Sequence, residues 1–126
     1  MESPATPDAA VVATRLDEYV AALRNAGEPQ QAAVGHGLNT ARSIFIQEFG
    51  TMAGFRDAGS VAQLEFIARM DAMAKGLDAE NTGMSWGVRL FWMYAYLLKD
   101  GDEGVSLRYG PELARLGQLG MGVPEA

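Results

Sequence analysis

The stretch GMSWGVRLFWMYAYLLKDGD, residues 83–102, decides how this chain is read. It holds both tryptophans and two of the four tyrosines, with Arg89 set inside the apolar run. A membrane-spanning helix needs about 20 predominantly apolar residues. The run from Trp86 to Leu98 is shorter, contains a charge, and is flanked by Lys99 and several acids, so a membrane span is rejected. At 100° per residue, Leu90, Phe91, Tyr94, Ala95, Leu97 and Leu98 gather on one side, wide enough for a core face. The opposite sector holds Ser85, Trp86, Arg89, Trp92, Met93 and Tyr96. A solvent-facing sector is normally built from Lys, Glu and Gln.

That sector has two readings. In one, the helix is central and wrapped by the others, with the Arg89 stem along aromatic rings and its head at water or a carboxylate. In the other, Trp86, Arg89, Trp92, Met93 and Tyr96 form a partner-binding surface, since these residue types are enriched at binding hot spots.

Outward from this helix, the spacing predicts three more. Thr6-Pro7-Asp8 reads as a helix start, and Val12, Leu16, Tyr19, Val20 and Leu23 recur at helical spacing until Gly27 and Pro29. A second helical region runs from about Pro29 to Met52, with Leu38, Ala41, Phe45 and Met52 on one stripe. Gly35 and Gly37 either split it or permit a close helix crossing. Gly50, Gly54 and Gly59 read as a connector, and Ser60 with Gln63 matches a capping box before Leu64, Phe66, Ile67, Met70, Met73 and Ala74. Gly76 reads as a stop. Val105, Leu107 and Tyr109 alternate with polar residues, a pattern that suits a short extended piece, and a last short helix is expected from Gly110-Pro111-Glu112. The expected fold is all-α: a four-to-five-helix bundle or orthogonal array in one domain, 6–118, between tails at 1–5 and 119–126.

Composition limits the function classes. At 126 residues the chain suffices for one core, and 48% hydrophobic residues argue against wholesale disorder. A net charge of −6 removes the phosphate-neutralising term on which nucleic-acid and anionic-membrane binding depend, so neither partner is expected. There is no cysteine, which excludes disulfides and thiolate metal sites and fits a reducing compartment. Residues 1–10 lack a basic segment followed by an apolar core, so no secretory signal is expected and the compartment expected is the cytoplasm.

Catalytic chemistry finds little support. His36, in VGHGL, is the only histidine. Flanking glycines would let backbone approach a ligand there, and an apolar-ligand bundle using His36 is the alternative function. Residues 100–104, DGDEG, resemble the start of a calcium loop, but the glycine position falls on Val105 and the twelfth-position glutamate on Pro111. No metal or cofactor is expected, and no phosphate loop is present. The leading expectation is a small helical protein-interaction module, such as an adaptor, regulator or immunity-type inhibitor. It would be non-enzymatic and would bind another protein or its own copy.

Overall fold

In the computed structural model, residues 8–99 and 103–116 are described, and their regular structure is entirely helical. Five helices form one bundle: α1 (Ala9–Arg24), α2 (Glu28–Phe49), α3 (Met52–Leu77), α4 (Thr82–Leu98) and α5 (Glu103–Leu116). The all-α expectation is met.

The expected start of α1 moves by two residues. Thr6 and Pro7 lie outside the described residues, and Asp8 is the N-cap, accepting from the Ala10 and Val11 amides at 2.8 and 3.3 Å. A carboxylate there satisfies orphan donors and favours the positive helix end. Val12, Leu16, Val20 and Leu23 are buried as the spacing predicted.

The glycine question in α2 resolves into a close crossing. The helix is continuous through Gly35 and Gly37, and both are buried against the fold. A Cβ placed on Gly37 would stand 2.1 Å from the Met84 carbonyl oxygen. One on Gly87 would stand 2.0 Å from the Val34 oxygen, and one on Gly83 2.6 Å from the Ala33 Cβ. Small residues one turn apart on each helix therefore let the α2 and α4 backbones touch. α2 ends at Phe49, earlier than expected, and Met52 opens α3 instead.

The expected connector over 50–59 is largely helix. Thr51 caps α3 by accepting from the Gly54 amide at 3.0 Å, and Met52 and Phe55 turn into the core. α3 bends at Gly59, whose φ of 87° and ψ of 170° are non-helical. The capping-box reading of Gln63 is corrected here. Its amide nitrogen donates to the Phe55 and Arg56 carbonyls at 2.8 and 3.3 Å, closing the end of the segment before the bend. Gly76 does not stop the helix, which runs to Leu77.

The expected extended piece at 105–109 is also corrected. Val105, Tyr109 and Leu113 are spaced i, i+4, i+8 and face the core, whereas Leu107 is 79% exposed, so the period is helical. Pro111 lies inside α5 rather than at the start of a new helix.

α4 sits at the centre. Ala74 meets Ser85 while Arg56 reaches Leu98 and Lys99, so α3 and α4 are antiparallel. Tyr19 stacks on Trp86 with ring centroids 5.2 Å apart, tying α1 to α4. All five phenylalanines form one cluster, in which Phe45 lies 5.1 to 5.6 Å from Phe49, Phe55, Phe66 and Phe91. Such tilted and edge-on pairs add to area burial about 0.5–1.5 kcal/mol each.

Candidate functional site

The aromatic sector of α4 is interior. Trp92 is 6% exposed, Met93 1% and Tyr96 5%, while Trp86 and Arg89 are half-buried. The residues expected as a partner-binding surface therefore share one side of α4, but Trp92, Met93 and Tyr96 are buried in the bundle rather than on an open face. The physical reason is the glycine crossing: with the far side of α4 pressed onto α2, both remaining flanks are left to α1 and α3.

Arg89 anchors a polar knot at the α3–α4 corner. Its guanidinium donates to both Asp78 carboxylate oxygens at 2.7 and 3.0 Å and to the Ser85 hydroxyl at 2.8 Å. Ser85, with no exposed surface, hydrogen-bonds the Ala74 carbonyl and Asp78. Such forked pairing is the strong, orientation-specific form of an arginine–carboxylate contact. Hydrogen bonds from Arg89 and then Ser85 hold the Asp78 carboxyl well below the usual carboxylate range. The same bond to Asp78 raises the Arg89 pKa further. A depressed acid contributes stability above its unfolded pKa of about 3.9 and loses it only as pH falls through the folded value. The knot is thus intact throughout the neutral and mildly acidic range. It contains no base that accepts a proton near neutrality, and Ser85 has no access to solvent, so its chemistry is structural.

Asp78 had no local signal in the sequence. It lies eleven positions before Arg89, just after α3, and the turn between the helices is what brings the two together. Lys99, at the other end of α4, places its ammonium 4.7 Å from the Tyr96 ring centre.

His36 lies apart from all of this. It is exposed on α2, with Gly35 and Gly37 buried on its two flanks, and Gly37 serves the α4 crossing rather than a ligand approach to the imidazole. Among the described residues no group of His, Cys, Asp and Glu is arranged to hold a metal ion. The DGDEG segment at 100–104 lies largely outside the described residues. No helix among the described residues is long and apolar enough to cross a membrane.

Concave surface among the described residues borders α1. A cleft of about 550 Å³ is lined by Ala9, Ala10, Ala13, Leu97, Val105 and Tyr109, together with Gly104 and Arg108. On the other side of Ala10, a second depression of about 350 Å³ is formed by Val11, Thr14, Arg15 and Glu18, and Val11 is 48% exposed. No signal marked Ala9, Ala10 and Ala13 in the sequence, because alanine is neutral in a periodicity argument.

One edge of the larger cleft is pinned electrostatically. The Tyr109 hydroxyl donates to Asp17 at 2.7 Å, and Arg108 pairs with the other Asp17 oxygen at 3.1 Å. Burial, then the bond to Asp17, pushes the Tyr109 pKa up to about 12. The folded chain favours the neutral phenol, so this contribution is complete below the unfolded pKa of about 10 and is lost as pH rises through about 12. Tyr109→Phe should abolish the part of the stability loss that falls in that alkaline window. Urea unfolding at a series of pH values checks it, and an unchanged alkaline slope contradicts the assignment.

No family model, curated protein or solved structure matches the chain.

Proposed function

We propose that this chain is a small, non-enzymatic helical interaction module of the cytoplasm, and that it engages a protein partner through the first turns of α1. The observation that carries the reading is Ala10 standing between two depressions, with a half-exposed valine beside it. Small side chains let another helix approach closely, and Val11 amid Thr14, Arg15 and Glu18 has the apolar-centre, polar-rim arrangement of an interface. The acidic net charge argues for a protein partner over nucleic acid or an anionic membrane. The lack of cysteine supports a reducing compartment.

This places the contact on α1 and gives the α4 aromatics the task of holding α1 in position. The test is affinity capture from native lysate with purified wild type and Val11→Glu side by side, with light scattering on each. One protein retained in stoichiometric amount by wild type should bind Val11→Glu at least about tenfold more weakly, while the melting curve stays unchanged. Equal retention overturns the α1 surface. A monomer that retains nothing overturns the interaction reading.

A further inference from the structure

The bend in α3 offers a second mode of association, separate from the α1 surface. Of the 26 residues of α3, Gly59 alone has non-helical dihedrals. Helix lies on both sides of it, so two torsions separate the bent form from one straight helix of about 39 Å. The bend also divides the chain into two units. One contains α1, α2 and residues 52–58; the other contains residues 60–77, α4 and α5.

The principal packing of the molecule runs between those units. It includes the Gly37–Gly87 crossing, Phe45 and Phe49 against Phe66, Phe45 against Phe91, and Tyr19 against Trp86. Arg56 from the first unit donates to the Leu98 and Lys99 carbonyls at the end of α4 in the second. If α3 straightens, both apolar faces lose their cover. The surface complementary to each is the other unit of the same chain.

We propose that this protein forms a domain-exchanged dimer with a second copy of itself, in which α3 straightens at Gly59 and each α1–α2 unit docks on the partner's α4. The contacts between the units are re-made between copies except at the hinge, where the Phe55 and Arg56 carbonyls exchange the Gln63 amide for the helical amides of residues 59 and 60, so the two forms differ mainly in the hinge and in concentration. The φ and ψ of Gly59 lie in a region that is essentially restricted to glycine. Around Gly59 a Cβ would meet nothing within 4 Å. Alanine at this position therefore alters the backbone preference without a clash, penalising the bend and favouring the straight helix.

The experiment compares wild type and Gly59→Ala by size exclusion with light scattering at matched concentrations. Gly59→Ala should raise the dimerisation constant about tenfold to a hundredfold per hinge, hence about 10²–10⁴ for the dimer, with unchanged helical content. Exchange is read directly by adding Glu48→Cys and Arg69→Cys, which stand on different units and pair in the bent form. The chain has no other cysteine. A short bis-maleimide should link these positions between chains in the exchanged dimer and within one chain in the monomer. A folded Gly59→Ala monomer, or a dimer whose links stay within each chain, overturns the proposal. If Gly59→Ala does not fold, the Glu48→Cys/Arg69→Cys protein with Gly59 retained, refolded at about millimolar concentration, decides: an inter-chain link supports exchange, and its absence refutes it.

Discussion

Gly87→Ala is expected to produce one of the largest losses of stability available to a single methyl group in this molecule. The new Cβ would stand 2.0 Å from the Val34 carbonyl oxygen and 2.6 Å from the Leu38 nitrogen, both backbone atoms. A flexible side chain can swing aside; two helix backbones cannot. The α2 and α4 axes must separate, and that loosens the Phe45–Phe91 contact one turn further along. Overpacking a core costs about 1–3 kcal/mol and occasionally more, and this site belongs at or beyond the top of that range. For a chain of this size, about 3 kcal/mol corresponds to a fall in Tm of about 10 °C or more. Gly76→Ala is the control. It lies near the end of α3 with nothing within 4 Å, and alanine there should stabilise by up to about 1 kcal/mol. Thermal unfolding of both variants checks the pair; a Gly87→Ala protein that melts with wild type would remove the crossing from its central role.

Trp92→Asp should unfold the protein. Trp92 is 6% exposed, so the substitution loses a large packed surface and takes a carboxylate out of water into an aromatic site. An uncompensated buried charge costs about 3–5 kcal/mol and truncation of a buried aromatic about as much. Together they approach the whole stability of a small domain, about 5–15 kcal/mol. Trp92→Phe separates the causes. The indole nitrogen is buried without a hydrogen-bond acceptor among the described residues, so phenylalanine forfeits volume but no hydrogen bond. Near-ultraviolet circular dichroism should show fixed tertiary structure for Trp92→Phe and its loss for Trp92→Asp. A folded Trp92→Asp would mean that the sector opens to solvent, and the α4 surface would return as a contact site.

The two variants also mark where sequence reasoning reached and where it ended. Val12, Leu16, Val20 and Leu23 on α1, and Phe66, Ile67, Met70 and Ala74 on α3, are buried as their spacing requires. A single stripe at helical period has one way to be covered. α4 has no polar face apart from Ser85 and Arg89, and a helix apolar all round carries no mark of which neighbour covers which side. Its aromatic sector was therefore consistent both with a partner and with cover by the neighbouring helices. Likewise Val105, Leu107 and Tyr109 fit a strand over five residues, and only the addition of Leu113 at the next turn makes them helical.

The amino-acid order alone determined the all-α class, the apolar stripes of α1 and α3, and the exclusion of a membrane span at α4. These follow from local periodicity, length and charge, which act within a few turns of chain. The tertiary structure alone decided that Gly37 marks a crossing with α4, that Asp78 is the carboxylate of Arg89, that Gln63 closes the segment before Gly59, and that Trp92 is interior. Each of those depends on which surfaces meet across tens of residues, and the meeting of α2 with α4 at backbone contact is the packing that sets the others.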